Sequence, residues 1–187
     1  MRRSGGWIVD EMPELRGYTV PVGSFDAALP DIVLRVLGPD DRDAVRRLHE
    51  RLSQSDAHLR FLGPRPNHLD ALARTICRRD IAHYALGAFD DGVLVGVANY
   101  VLVDARRGRA SADIALVVEG HEQRHGIGTM LIRSLGEAAI ERGVVHLTAE
   151  ILAENTLMLA VIDEQGWSHA LHPDGTVVHF DLDLRAP

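Results

Sequence analysis

The sequence is poor in cysteine, in long apolar runs and in net positive charge. One Cys in 187 residues, Cys77, excludes an intramolecular disulfide framework and a cysteine-rich metal cluster. No apolar stretch approaches the roughly 20 residues needed to span a bilayer. The opening MRRSGGWIVDEMPELRG has two arginines but no sustained apolar core, so a secretory signal is not expected and a cytoplasmic protein is. Basic residues are the minority, 20 Lys+Arg against 27 Asp+Glu, for a formal charge of −7. That balance argues against a general nucleic-acid partner, and no membrane partner is expected. A local basic strip is still compatible with a phosphorylated ligand.

What is present is ordinary for a folded protein. The hydrophobic fraction is 46% and the charged fraction 25%, and the length suits one domain. Residues 1–30 carry Gly5, Gly6, Pro13, Gly17, Pro21, Gly23 and Pro30, punctuation too dense for a regular element. They read as an irregular arm, docked or frayed, ahead of a body over 31–187.

Within the body, DIVLRVL suits a strand. A helix capped by Asp40 or Asp41 then runs to about Leu52, with Val45, Leu48 and Leu52 on its inner face. SQSDAHLRFLGPRP reads as a broken connection, and a second helix runs from Leu69 to Cys77 with Asn67 as its cap. IAHYALGAF, VLVGVANYVLV and SADIALVV form a meander, bulged near Gly96. A helix over TMLIRSLGEAAIER, a strand VVHLTAEIL and a helix over ENTLMLAVIDEQ follow. A hairpin of WSHAL and VVHFDLDL about the turn HPDGT closes the chain. The order is β-α-α-β-β-β-α-β-α-β-β, with about four helices.

The strongest local feature is HEQRHGIGTML, residues 121–131, a glycine-containing loop between an apolar strand and a long helix. Gly126 and Gly128 leave backbone N–H groups open to close approach, and the first helical turn adds unpaired donors and a favourable dipole for an anion. Arg124 supplies a charged fork. The third glycine of the dinucleotide fingerprint is absent, as is the Gly-Lys-Ser/Thr of a Walker loop. His121 and His125 flank the glycines without further ligands at suitable spacing, so no metal is expected.

QRHGIG, with Gln123-x-x-Gly126-x-Gly128, resembles the Q/R-x-x-G-x-G/A motif of the GNAT acyltransferase superfamily. TAEILAENTLMLAVIDEQGW resembles that family's strand–Asn–helix–Gly–aromatic ending. The resemblance spans roughly residues 32–184. It implies an α/β fold with a mixed, mostly antiparallel central sheet, splayed between its central strands, around acetyl-CoA. It also implies a cofactor site formed by Val117, Val118, Gln123, Arg124, His125, Gly126, Ile127, Gly128 and Thr129. There the loop amides receive the diphosphate, and the strand backbone near Val117 polarises the thioester carbonyl. Asn155 is implied beside the pantetheine arm, with helix capping as its other role.

HLRFLGPRP, with the two segments just quoted, is similar to the bacterial protein-lysine acetyltransferase branch. The expectation is a catalytic module without that branch's regulatory domain, acting on an amine. Protein lysines, including those of acyl-CoA synthetases, lead, with small amines and a catalytically inactive acyl-CoA sensor as alternatives. Whether it works as a monomer or a homodimer stays open.

Acetyl transfer to an amine needs the neutral amine, whereas a lysine is almost wholly protonated at neutral pH. Asp113 is the first candidate for base or water relay, because Ala112-Asp113 aligns with an alanine–glutamate pair of the branch. Glu119, before the loop, and Glu150, one strand on, are the further candidates. Thr148, Glu150 and Leu152 share a strand face. ENTLMLAV offers no tyrosine as an acid for the departing thiolate.

Overall fold

In a computed structural model the structure describes residues 32–105, 109–120 and 126–185. Seven strands make one sheet in the order β1-β2-β3-β4-β5-β7-β6. They are β1 Ile32–Val36, β2 His83–Asp90, β3 Val93–Asp104, β4 Ala110–Val118, β5 Val144–Leu152, β6 Leu171–Asp174 and β7 Val177–Asp183. All neighbours are antiparallel except β4 and β5, which run parallel because a helix crosses over between them.

Five α-helices flank the sheet: α1 Arg42–Arg51, α2 Gln54–Phe61, α3 Leu69–Ile76, α4 Ile127–Glu141 and α5 Thr156–Glu164. None of the described helices is long and apolar enough to cross a membrane. The first three cover one face of the sheet, where Leu37, Val45, Leu48, Ala57, Ile76 and Val97 form a buried cluster. The other face carries the larger core, built on the stripe of α4. Ile127, Leu131, Ile132, Leu135, Ala138 and Ala139 are buried along it at helical spacing and meet Ala98, Tyr100, Ile114 and Phe180. Truncating Leu131, which is wholly buried, would cost about 2–5 kcal/mol.

The helix count differs from the sequence reading at α2. The Gly63, Pro64 and Pro66 punctuation lies beyond this helix rather than inside it. Ser53 starts it, its Oγ accepting the Asp56 N–H at 3.0 Å, and Leu62 ends it in the left-handed conformation (φ 52°). Two caps differ as well. Asp41 does stand at the start of α1, but its carboxylate turns back to the Gly38 N–H (2.8 Å) and the Arg35 guanidinium (2.6 Å). The cap position of α3 is His68, not Asn67, and makes no side-chain capping bond. In the final hairpin Ser168–Ala170 is a 3-10 turn, and the strand is Leu171–Asp174. Pro173 is tolerated there because β6 is the sheet's edge.

The bulge near Gly96 is present: Ala88 pairs with Gly96 but Phe89 pairs with Leu94, leaving Val95 extra. The feature that positions the site lies between β4 and β5. Their ladder runs from Ala110↔Val144 to Asp113↔Thr148 and stops. Beyond it β5 pairs only with β7, through Leu152↔Val177, while β4 continues along β3 to Val118. The two central strands therefore diverge into a wedge, as the resemblance implied.

Candidate active site

The wedge opens into a cleft of about 260 Å³, lined on one side by Leu116, Val117 and Val118 of β4 and on the other by Asn155, Leu157, Met158 and Val161. Gly126, Gly128 and Thr129 line its wide end, and Asp56, Leu59 and Arg60 of α2 border it from the first helical layer.

Gly126 caps α4 with φ +82°, a conformation that L side chains rarely adopt, and a Cβ there would point into open space. The Met130 N–H donates back to the Gly126 carbonyl at 3.0 Å. The N–H groups of Ile127, Gly128 and Thr129 belong to the first turn, whose donors an α-helix leaves without an intrahelical partner. A Cβ on Gly128 would stand 3.2 Å from Val161 Cγ2, so glycine also lets α4 approach α5. Thr129 Oγ1 donates to the Glu164 carboxylate. These features suit an anion at the helix start. Gln123, Arg124 and His125 lie outside the described residues.

Asn155 lines the cleft and caps α5, its Oδ1 accepting the Met158 N–H at 3.1 Å. Capping occupies the oxygen and leaves its NH₂ group as a donor facing the cleft.

Ladder parity decides which backbone donors face the wedge. The Glu119 N–H donates to the Val95 carbonyl at 2.9 Å, so alternate residues Val117 and Ala115 also direct their amides toward β3. The amides of Leu116 and Val118 turn the other way, toward the diverging β5. Val117 contributes its side chain to the cleft wall. The strand backbone near Val117 thus offers its neighbours' amides, those of Leu116 and Val118, toward the gap.

The three candidate carboxylates separate. Asp113 lies at the vertex of the wedge, on the sheet face toward α2. Its residue is exposed, yet partial burial of the carboxylate raises its pKa. The charge of Glu150 adds to the rise, while the Thr148 hydroxyl and the Arg60 charge oppose it. Glu150 is exposed on β5, opposite His179, whose Nδ1 lies 4.0 Å from its carboxylate. Asp113 and Glu150 are thus close enough to interact.

Glu119 is six residues farther along, about 20 Å at the rise of a strand. It is 9% exposed and takes Arg51 bidentately, Nε at 2.9 Å and Nη2 at 2.8 Å, while the same Nη2 donates to the Leu94 carbonyl. Cys77 is buried at the end of α3, and burial pushes its thiol up to about 11.

Arg60 was not singled out from the sequence. It comes to the cleft because α2 exists, and only the packed fold shows what surrounds its guanidinium.

Residues 44–167 match the Acetyltransferase (GNAT) family. The fold is similar to that of the GNAT domain of PAT from S. lividans, with 22% identity, a TM-score of 0.71, and 80% of this chain and 89% of that one covered. It is also similar to yncA from Salmonella typhimurium, solved with its cofactor acetyl-CoA, at 17% identity and a TM-score of 0.67 over 84% and 96% of the two chains. A third likeness is the cAMP-binding acyltransferase from Mycobacterium smegmatis, at 20% identity and a TM-score of 0.55. There 83% of this chain is covered but only 44% of the other.

Proposed function

The chain belongs to the GNAT acetyltransferase family, and from that premise we propose that it transfers an acetyl group from acetyl-CoA directly to an amine. The observation that carries this reading is the wedge itself, with the start of α4 at its open end and Asp113 at its vertex.

The residues divide the work along that line. The amides of Ile127–Thr129, with Gly126 and Gly128 keeping the approach clear, hold the diphosphate. Met158, Val161 and Val118 give an apolar channel for the pantetheine arm, and the Asn155 amide donates to it. The Leu116 amide faces the acetyl carbonyl and stabilises the oxyanion that forms there. Asp113, directly or through a water, takes a proton from the acceptor ammonium, so that the neutral amine attacks. The nitrogen–carbon bond forms to give the oxyanion adduct, the attacking nitrogen loses its second proton to solvent water, and the carbon–sulfur bond then breaks so that CoA leaves as a thiolate. Among the described residues no tyrosine lines the cleft, and Tyr84 and Tyr100 are buried together under Arg142; the thiolate takes its proton from water.

A protein lysine is the acceptor favoured here. Its support is the likeness of HLRFLGPRP and the neighbouring segments to the bacterial protein-lysine acetyltransferases. The test is to incubate the purified chain with acetyl-CoA and a panel of lysine proteins, acyl-CoA synthetases among them, and free amines. Thiol release matched by N-acetyl product is expected. The sequence contains no lysine, so acetyl-lysine found in such a mixture belongs to the acceptor. Absence of acetyl-CoA binding and of thiol release across the panel would overturn the reading.

A further inference from the structure

The layer that carries α2 holds positive charge that acetyl transfer, as just described, leaves unused. Arg60 lines the cleft beside Leu116, Val117 and Val118. Its hydrogen bond to Asn99 Oδ1 is long, 3.4 Å, and its Nε is buried without a partner. Its Cζ lies 5.2 Å from the centroid of the Phe61 ring, a contact that positions the group without neutralising it. Burial lowers its pKa to about 10, which still leaves it charged at neutral pH.

Among the described residues its surroundings add no negative charge at bonding distance; Asp56, one turn earlier on α2, lines the same cleft without pairing with it. Arg65 donates Nη2 to the Leu52 carbonyl and also has a buried, unpartnered Nε. His49 is wholly buried, with Nδ1 2.8 Å from the Val45 carbonyl and Nε2 unpartnered. Burial, aided by the charges of Arg60 and Arg65, holds its pKa at about 4, so the ring is neutral at pH 7. Elsewhere some arginines pair with acids, Arg35 with Asp41, Arg46 with Glu50 and Arg51 with Glu119, while Arg79, Arg133 and Arg142 donate to neutral oxygens; Arg60 differs from these in lining the cleft with a buried, unpartnered Nε. Among the described residues no carboxylate comes within ion-pair distance of Arg60. Asp113 acts on it only through space.

Asp113 and Asn99 lie on the same face of the sheet, the face that α2 covers, since Val101 pairs with Asp113 and Asn99 with Ala115. The candidate base and the Arg60 guanidinium therefore meet on one face of the sheet, close enough for their charges to interact, and Arg60 also lines the cleft. A substrate carrying only positive charge would bring a second cation toward Arg60. One that also carries a carboxylate would meet a fork suited to it.

We infer that Arg60 is a carboxylate-binding residue of this cleft, holding a carboxylate that one of the two substrates carries a few bonds from its reacting atom. The inference rests on the acyl-transfer reading of the same cleft. The carboxylate belongs either to an amino-acid-type acceptor in place of a protein lysine, its ammonium then facing Asp113, or to a dicarboxylic acyl group on CoA in place of acetyl.

Two kinetic arms distinguish these sources. In the acceptor arm, amino acids are compared with their decarboxylated amines, using acetyl-CoA. In the donor arm, succinyl-CoA is compared with butyryl-CoA, using a lysine peptide. In one arm the carboxylate-bearing substrate is expected to have the higher kcat/KM by at least about tenfold. Arg60→Gln should abolish that preference, and Arg60→Lys, which keeps the charge and loses the fork, should retain part of it. A ratio that is the same in wild type and Arg60→Gln in both arms would overturn the inference while leaving acetyl transfer intact.

Should no donor or acceptor react, the enzyme reading falls, and a binding measurement on the wild-type chain decides the role of Arg60 alone. The Arg60 Nε–H resonance, assigned by its loss in Arg60→Gln, is followed during titration with succinate. A saturable shift supports the carboxylate site; no shift at tens of millimolar succinate refutes it.

Discussion

Asp113 and Thr148 are the last pair of residues joined across the parallel ladder of β4 and β5; past them the strands part. The carboxylate proposed to receive the amine proton therefore stands where the cofactor channel ends. Its raised pKa comes first from burial and then from Glu150.

A base is active above its own pKa, so the acidic limb of kcat/KM should lie above the ordinary carboxylate range. Asp113→Asn should lower kcat about 100-fold, remove that limb and leave acetyl-CoA affinity within about threefold. Glu150→Gln removes a negative neighbour, which eases ionisation of Asp113 and should move the limb to lower pH. Steady-state kinetics from pH 5 to about 9 read both effects.

Glu119 gives a contrasting expectation. Its bidentate bond to Arg51 is shielded on the carboxylate side and half open on the arginine side. Glu119→Gln should destabilise the fold by about 2 kcal/mol, below the full cost of breaking a wholly buried pair. Urea unfolding of Glu119→Gln, Arg51→Met and the double variant would show the double costing less than the sum of the singles.

The wedge, the helix spans and Arg60 were not equally legible. The stripes of α4 and α5 announce themselves through Ile127, Leu131 and Leu135 and through Leu159 and Ile162, because burial on one face forces helical spacing. The divergence of β4 and β5 has no such signature: each strand alone reads as a strand, and only the family likeness pointed to the gap. The α2 helix is hard to read from the sequence because Gly63, Pro64 and Pro66 follow so closely on its end at Phe61. Which amides near Val117 face the gap, those of Leu116 and Val118, depends on which partner strand is bonded, a property of pairing and not of composition. An arginine without an acid can be recognised only once its neighbours are packed. The arm over 1–30 and the loop residues Gln123, Arg124 and His125 lie outside the described residues.

His49 should make the protein acid-sensitive well above the carboxylate range. Its folded pKa is about 4 against an ordinary 6.5, so the unfolded chain binds the extra proton in between. Stability is complete above about pH 6.5 and falls as the pH drops toward 4, by up to roughly 3 kcal/mol. Urea midpoints measured across that window should lose most of this slope in His49→Gln.

Cys77 should be chemically silent. A buried thiol with its pKa near 11 offers little thiolate at neutral pH, and it lies outside the cleft. Cys77→Ala should keep kcat within about twofold, and mass spectrometry of enzyme quenched during turnover should detect no acetylated cysteine.

The central claim is where acetyl-CoA lies, and a crystal structure of the complex tests it most directly. The account predicts the diphosphate on the amides at the start of α4, the pantetheine arm between Leu116–Val118 and Asn155, and the thioester carbonyl at the Leu116 amide on the way to Asp113. A cofactor bound on another face of the sheet, or a wedge closed by protein side chains in the complex, would contradict it.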